Sequence, residues 1–180
     1  MNERVFNQNF DRLRSAERLE RLSVNQVVDN CLSGSEIKSI LDIGTGTGLF
    51  AEKFSERGIK VAGVDVNPSY IEEAKKYLPD AEFKIASAEN LPFEDSSFDA
   101  VFFGVVLHEV DDFNKTLAEA NRVSRLKAFI LEWQYKTEDF GPPLEHRLKP
   151  EFVEKLSKEN GFKNFKEVKL DKLVLYELTK

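Results

Sequence analysis

The sequence predicts an α/β fold, doubly wound around a mostly parallel sheet with helices on both faces and a C-terminal antiparallel hairpin. From residue 38 onward, apolar β runs alternate with segments of helical pattern. The connections are short, and strand–helix alternation of this kind produces a parallel sheet covered on both faces. Two β runs with no helix between them, FKEVKL and KLVLYEL, stand last and predict the hairpin.

The segment before the first strand has the pattern of an amphipathic helix. Residues 10–22 mix both signs of charge, and Glu17 and Arg21 are spaced i, i+4. Ser33-Gly34-Ser35 supplies residues that end a helix. Residues 1–34 are therefore expected to form an N-terminal helical cap. Its apolar stripe recurs at i, i+3, i+4, i+7 and i+8 and consists of Val24, Val27, Val28, Cys31 and Leu32.

The alternating region predicts five strands separated by helices. The strands are expected at 38–43, 59–65, 81–86, 98–106 and 128–133. The helices are expected at 47–57 before Gly58, from Asn67 as N-cap with Pro68 as first residue, from Asp111 or Asp112, and from Pro150 to Lys158 before Gly161. Ligands of such sheets bind beyond the carboxyl ends of the strands, at the switch point in strand order.

Composition narrows the class of protein. A length of 180 residues is most simply one domain. A net charge of −6 argues against a nucleic-acid surface, which normally carries a basic stripe. A single cysteine, Cys31, excludes an internal disulfide and a cysteine-based metal cluster, and no metal site is predicted. Without an apolar leader or a long apolar stretch, no membrane span is expected, and the sequence predicts a cytoplasmic enzyme of unspecified oligomeric state.

The stretch LDIGTGTG indicates a nucleotide site, because Gly44, Gly46 and Gly48 lie between a strand and a helix. Glycines let the backbone turn tightly and let a ligand approach main-chain atoms. A turn without a ligand is the structural alternative. Asp65 favours a ligand, since it ends the next strand 21 residues after Gly44 and is placed to accept hydrogen bonds from both ribose hydroxyls.

Charge around the loop distinguishes two cofactors. The segment from Gly46 to Ala51 also satisfies the G-x-G-x-x-G/A spacing of dinucleotide sites. However, Asp42 precedes the glycines and no Lys or Arg follows until Lys53. A diphosphate would be repelled there by about 1 kcal/mol or more. S-adenosylmethionine (SAM) has a ribose diol, a sulfonium, an ammonium and no phosphate, so the local charge favours SAM.

Several motifs in order resemble the class I SAM-dependent methyltransferases, of the small single-domain type similar to quinone-biosynthesis methyltransferases. They are LDIGTGTG, VAGVD, SAENLPFEDSSFDAVFF, VLHEVDD and FILEW, over residues 35–135. The resemblance implies a single SAM-binding methyltransferase domain over residues 1–180. Two departures stand out. Ser87 replaces a frequent Asp, and SRLKA replaces the usual Lys-Pro-Gly-Gly turn before strand five, where only local loop geometry is expected to change.

The resemblance also implies which residues bind SAM. Asp65 would hold the ribose, Val66 would pack on the adenine, and Gly104 would form the floor near the methyl group. Ala88 and Glu89 would flank the adenine edge. The methionyl part would be lined by Asp42, Gly44, Thr45, Gly46 and Gly48.

Methyl transfer is an in-line displacement that depends mainly on positioning, and a base helps when the acceptor must lose a proton. His108 and Glu109 resemble a family segment after the fourth strand and are the predicted catalytic residues. For His108, the structural alternative is a helix-start residue that shapes the pocket. For Glu132, two alternatives stay open: it is a packed residue at the strand end, or it contacts the substrate. Further candidates at the mouth of the sheet are Asp111, Glu132 and His146.

Residues 134–149 form the longest irregular stretch and, with the N-terminal helix, are a possible lid over the cleft. The limited length favours a small-molecule acceptor over a macromolecule. The leading hypothesis is a SAM-dependent methyltransferase. The alternatives are a SAM-binding regulatory protein without catalysis and an NAD-dependent oxidoreductase. An aromatic lining is possible from Phe6, Phe10, Trp133, Tyr135 and Phe140.

Overall fold

The computed structural model describes residues 10–34 and 36–180. One-turn 3-10 helices at Leu107–Glu109 and Leu144–His146 interrupt two of the loops. The α-helices are α1 (Phe10–Leu13), α2 (Ala16–Arg21), α3 (Val24–Leu32), α4 (Leu49–Ser55), α5 (Pro68–Tyr77), α6 (Phe113–Val123) and α7 (Pro150–Glu159). The strands are β1 (Ser39–Ile43), β2 (Lys60–Asp65), β3 (Glu82–Ile85), β4 (Phe98–Gly104), β5 (Ser124–Trp133), β6 (Asn164–Lys169) and β7 (Leu173–Thr179).

The strands form one sheet in the order β3-β2-β1-β4-β5-β7-β6. Pairs among the first five strands of that order are parallel, whereas β7 runs antiparallel to both β5 and β6. The predicted fold class is therefore confirmed, including the C-terminal hairpin. Within the sheet, β2 flanks β1 on one side and β4 flanks it on the other, so the strand order reverses at β1. This reversal places the switch point, and hence the expected ligand site, at the carboxyl ends of β1 and β4.

Alternating side chains of the central strands feed two separate apolar cores. Phe102 of β4 points to the face covered by α3, α4 and α5, where its ring centroid lies 4.8 Å from that of Phe50 and 5.3 Å from that of Phe54. Phe103, the next residue, belongs to the core under α6 and α7. Such alternation is what a strand buried on both faces requires, and it confirms the prediction of helices on both faces.

Two strand boundaries differ by two residues or more from those predicted. The fourth strand ends at Gly104 rather than at residue 106, because Val105 takes a φ of 62° and leaves the extended conformation. The predicted start of the fifth strand at residue 128 was wrong, since β5 begins at Ser124 directly after α6 and includes the stretch SRLKA. The guanidinium of Arg125 in this added stretch bonds the carboxylate of Asp99 on β4, and Lys127 pairs with Thr179 of β7. Neighbours on both sides thus extend the strand.

The N-terminal segment forms three short helices rather than one, and Arg14 attaches it to the glycine-loop region. The Arg14 guanidinium donates to the Thr47 carbonyl at 2.7 Å, bonds the Glu52 carboxylate, and lies 3.5 Å from the Tyr77 ring centroid. The described helices include none with the length and apolar character needed to span a bilayer.

Candidate cofactor and active site

A cavity of about 930 Å³ lies at the predicted edge of the sheet. Its wall is built from residues that follow β1, β2, β3, β4 and β5, which is the switch-point location expected for a ligand. Residues of α2 and of the segment 134–149 complete the wall. The volume falls in the usual range for a small-molecule site.

The glycine loop is shaped by contacts that glycine alone permits. Gly44 has a φ of 69°, and a Cβ there would lie 2.5 Å from Cγ2 of Val106. Gly46 has a φ of 54° and nothing within 4 Å of its would-be Cβ, so its backbone borders open space in the cavity. Gly44 therefore lets the loop pack on the segment after β4, whereas Gly46 leaves room for a ligand.

Asp65, at the end of β2, lines the cavity and also holds the glycine loop. Its Oδ2 accepts from the Gly46 amide at 2.9 Å, and its Oδ1 accepts from the Asn67 amide at 2.8 Å. Burial raises the pKa of Asp65, although these amides oppose the shift. A carboxylate offers about four acceptor positions, so the two amides leave capacity for ribose hydroxyls.

Asp42 lies behind the glycine loop and not in the described cavity wall. Only 1% of it is exposed, and its carboxylate accepts from the Thr45 hydroxyl at 2.8 Å. Burial raises its pKa to about 7, with the nearby Asp65 charge contributing, while the bonds from Thr45 and the Ala51 amide oppose the rise. Asp42 is thus placed to shape the loop, and direct contact with a cofactor stays a prediction.

The remaining predicted cofactor residues also divide into those that line the cavity and those that do not. Thr45 and Gly48 are absent from the described wall, and Gly48 instead lets α4 approach α5, since a Cβ there would lie 3.1 Å from that of Ala74. The predicted residues that line the cavity are Gly44, Gly46, Asp65, Val66, Ala88, Glu89 and Gly104.

Glu89 connects the predicted adenine edge to the loop before α6. Its Oε1 accepts from the amides of Asp111 and Asp112 at 3.0 and 3.4 Å, and its other oxygen is bonded by the Ser87 hydroxyl. Val66 lines the cavity with 56% of its surface exposed, so its side chain is accessible from the cavity.

The wall also contains three cations that sequence reasoning missed. Arg12, Arg18 and Arg21, from the N-terminal segment, stand among six acidic residues of the described wall. Burial lowers the pKa of Arg18, as does its neighbour Arg21, while Glu109 opposes the shift. The absence of Lys and Arg between Asp42 and Lys53 therefore describes the local sequence of the loop and not the whole cavity wall. The acids are Glu17, Asp65, Glu89, Glu109, Asp111 and Asp139.

His108 forms a buried pair with Glu132 across two strand ends. Its Nδ1 lies 2.8 and 3.1 Å from the two carboxylate oxygens, and its main-chain amide donates to the same carboxylate at 3.1 Å. His108 lines the cavity, and its Nε2 lies 3.8 Å from Oε1 of Glu109. Burial, the largest influence, lowers the pKa of His108, but the Glu132 and Glu109 carboxylates outweigh it and raise the pKa overall.

The sequence-predicted aromatic lining is only partly present. Trp133 and Phe140 line the cavity, with ring centroids 5.7 Å apart. Phe10 instead contacts the Tyr70 ring, and Tyr135 lies outside the described wall. Phe6 falls outside the described residues. Asp111 and His146 do line the cavity.

A family model described as "Methyltransferase domain" matches residues 41–131, about half of the chain. The chain belongs to the class I SAM-dependent methyltransferases. This confirms the resemblance of the five motifs, and the cofactor of the family is the predicted SAM. The matched residues run from the end of β1 to near the end of β5, so they include the glycine loop, Asp65 and the segment of His108.

Curated relatives of this methyltransferase include proteins named for quinone biosynthesis. It is 33% identical to the demethylmenaquinone methyltransferase of Renibacterium salmoninarum over 57% of this chain and 44% of the relative. It is 40% identical to the ubiquinone/menaquinone biosynthesis C-methyltransferase UbiE of Desulfotalea psychrophila over 47% of this chain and 36% of the relative. The match therefore spans less than half of each relative's length.

Solved structures share the fold over nearly the whole chain. A SAM-dependent methyltransferase from Aquifex aeolicus superposes with a TM-score of 0.80 at 22% identity, covering 94% of this chain and 95% of the other. A possible histamine N-methyltransferase from Thermotoga maritima superposes with a TM-score of 0.73 at 24% identity, covering 95% and 94%. The likeness extends to the N-terminal helices and the C-terminal hairpin, which the family model does not match.

Arg147, which sequence reasoning missed, holds the segment 134–149 of this methyltransferase in place. The side chain is buried and donates to the carbonyls of Gln134, Phe140 and Pro142 at 3.0, 2.6 and 2.9 Å. Gly141 of the same segment packs so closely on Trp133 that a Cβ would lie 2.9 Å from the ring. The local pattern GPPLEHRL does not distinguish Arg147 from a solvated arginine.

Arg147→Ala is expected to lower the free energy of unfolding by about 2 kcal/mol, because three partly buried carbonyls lose a charged donor. Amide hydrogen exchange is expected to speed up across residues 134–149. Urea unfolding and exchange mass spectrometry measure the two effects. Glu145→Ala, at an exposed position of the same segment, is the control and should change neither. Unchanged exchange in Arg147→Ala would contradict this role.

Proposed function

We propose that this methyltransferase transfers the methyl group of SAM to a small-molecule acceptor. The observation that carries the proposal is the cavity at the switch point, where Gly46, Asp65 and His108 line one continuous space. A cofactor site and a candidate base share this space. The names of the relatives, which refer to demethylmenaquinone and to quinone biosynthesis, support a small acceptor.

The chemistry of the wall fits SAM. Asp65 is placed to accept from the ribose diol, and the open space beside Gly46 admits a methionyl chain. Exposed Val66 offers an apolar surface to the adenine, with Ala88 and Glu89 near its edge. The guanidinium groups of Arg18 and Arg21 suit the cofactor's carboxylate, and the six acids suit its two cations.

When bound, SAM supplies an electrophilic methyl group on sulfur. The protein's own contribution is to hold an acceptor in line with that methyl and to exclude water from the gap. Gly104 borders the cavity at the end of β4, and Trp133 and Phe140 provide an apolar surface for a planar acceptor. We also propose that α2 and the segment 134–149 act as the lid, and that the protein is cytoplasmic, which cell fractionation tests.

Titration calorimetry with S-adenosylhomocysteine and with NAD tests the cofactor assignment. Asp65→Ala is expected to weaken binding of S-adenosylhomocysteine by about 1–3 kcal/mol, because charge-assisted hydrogen bonds to the ribose and the brace on the Gly46 amide are lost. Asp80→Ala removes an exposed carboxylate after α5 and is the control. Saturable heat with NAD and none with S-adenosylhomocysteine would overturn the assignment.

Transfer of a labelled methyl group from SAM into the small-molecule fraction of a cell extract tests catalysis. Label is expected in that fraction with the wild-type protein and not with Asp65→Ala. Tight binding of S-adenosylhomocysteine without any transfer would favour the alternative of a regulatory SAM-binding protein.

A further inference from the structure

We propose that Glu132 is a positioning residue that orients His108 as the general base, and that the acceptor's attacking atom carries an ionisable proton. The acceptor class is then a phenol, an enol or an azole N–H, as opposed to a thiolate or an unprotonated amine, which needs no base. The inference rests on the proposed methyl transfer and assigns a new role to Glu132.

The geometry fixes both the ring and the backbone of His108. Glu132 is the penultimate residue of β5, and His108 lies in the 3-10 helix after β4, the neighbouring strand. One carboxylate bonds the imidazole Nδ1 and the His108 main-chain amide together. With Nδ1–H donating to a carboxylate, the neutral ring carries its free lone pair on Nε2. That nitrogen is the one left to accept a proton.

Packing alone does not account for a carboxylate at this position. Glu132 is 1% exposed, lies between buried Leu131 and Trp133, and pairs with buried Val174 of β7. A buried ionised group is costly, and an apolar residue of similar size is often neutral or stabilising in its place. Among the described residues, the Glu132 carboxylate hydrogen-bonds His108, which lines the cavity. An orienting role gives this charge a purpose that apolar packing does not.

Several charged groups act on the imidazole from the surrounding elements. Glu132 faces it from β5, Glu109 lies on its own helix, and Arg147 acts from the segment 134–149. Arg18 of α2 faces Glu109 in turn. His146 and Asp139 line the same cavity. The carboxylates dominate, so the pKa of His108 is raised, which makes the imidazole a stronger proton acceptor.

The proton balance of the step is simple. As the acceptor atom forms its bond to the methyl carbon, its bond to hydrogen breaks and the proton moves to Nε2 of His108. The methyl–sulfur bond breaks and its electron pair stays on sulfur. The Glu132 carboxylate stabilises the imidazolium, as the carboxylate does in a Ser-His-Asp triad. The imidazolium then releases the proton to water.

NMR titration of the free protein tests the pair without any cofactor. The chain has only two histidines, so His146→Asn assigns both imidazole signals. Glu132→Gln is expected to lower the pKa of His108 by about one unit or more, and Glu109→Gln by less. Glu145→Gln, at an exposed position, should leave it unchanged. An unchanged His108 pKa in Glu132→Gln would overturn the proposal.

Kinetics with labelled SAM test the acceptor class, with 2-naphthol, benzimidazole and thiophenol as probes. Glu132→Gln is expected to lower kcat for a hydroxyl or azole probe by about 100-fold or more and to shift the acidic limb of its pH profile. KM should change little. His108→Gln should show a similar loss, and Asp80→Asn, at an exposed position after α5, none. Methylation of thiophenol alone, or equal kcat in Glu132→Gln and wild type, would overturn the proposal.

Binding of S-adenosylhomocysteine separates this inference from the proposed function. Glu132→Gln should bind it within about twofold of wild type, since Glu132 lies outside the described cavity wall. If the wild-type protein itself fails to bind it, the proposed function fails, whereas the His108 titration still decides whether the pair exists. If Glu132→Gln does not fold, Glu132→Asp replaces it as the test. This variant withdraws the carboxylate by one methylene and is also expected to lower the pKa of His108.

Discussion

Gly44→Ala is expected to lower the free energy of unfolding by about 3 kcal/mol or more. An alanine at a φ of 69° costs about 1–3 kcal/mol. Its Cβ would also lie 2.5 Å from the Val106 side chain, and relieving such an overlap costs about 1–3 kcal/mol more. Either Val106 or the loop must move, so binding of S-adenosylhomocysteine should fall as well. Urea unfolding and calorimetry measure the two losses.

Two other glycines separate conformational strain from the overlap. Gly58 has a φ of 79° and nothing within 4 Å of a would-be Cβ, so Gly58→Ala should cost only the strain and leave cofactor binding unchanged. Gly46→Ala should cost similar stability but weaken cofactor binding, because its methyl group would enter the cavity. Equal stability losses in Gly44→Ala and Gly58→Ala would show that the contact with Val106 is soft.

Asp42→Asn is expected to remove a pH-dependent loss of stability of up to about 4 kcal/mol. Burial raises the folded-state pKa from 3.8 to about 7. Between these values the folded protein binds more protons than the unfolded chain, so the wild type loses stability as pH rises from about 4 to about 7. Asp42→Asn lacks this titrating carboxyl, so its free energy of unfolding relative to that of the wild type should increase with rising pH.

Urea unfolding at pH 5 and pH 8 measures that difference. Asp99→Asn is the matched control, because Asp99 is also a buried aspartate but has a lowered pKa. Burial opposes the lowering there, and the Lys38 amide and Arg125 outweigh it. Stability from Asp99 is fully present above about pH 4 and is lost only in acid, so the stability difference between Asp99→Asn and the wild type should be the same at pH 5 and pH 8. Parallel pH profiles of wild type and Asp42→Asn would contradict the burial of a titrating carboxylate.

Much of the fold follows from local sequence. The N-cap at Asn67 is confirmed, since its side chain accepts from the Ser69 amide at 2.9 Å and Pro68 begins α5. Gly58 and Gly161 follow α4 and α7 with positive φ. These features depend on neighbours a few residues away, which is why spacing predicts them. The extent of β5 cannot be predicted from such spacing, because its first residues form a strand by pairing with β4 and β7.

The residues of the site likewise divide into those that local sequence predicts and those that only the fold brings together. Asp65 was predicted because a fixed offset from the glycine loop places it on the adjacent strand, and it does line the cavity. The Glu132–His108 pair joins residues 24 positions apart on neighbouring strands, and each residue alone left its role open. The three arginines of the wall come from a segment that precedes the glycine loop, so the charge of the loop gave no information about them.

By itself, the sequence determined the alternation of strands and helices, the family, and the placement of a nucleotide loop after the first strand. These depend on periodicity and on glycines and caps, which act over a single turn or strand. Only the tertiary structure decided that Asp42 lies behind the loop, that Arg147 bonds the segment 134–149, and that a buried carboxylate bonds His108. Such contacts depend on strand order and register, which bring together side chains that no local spacing relates.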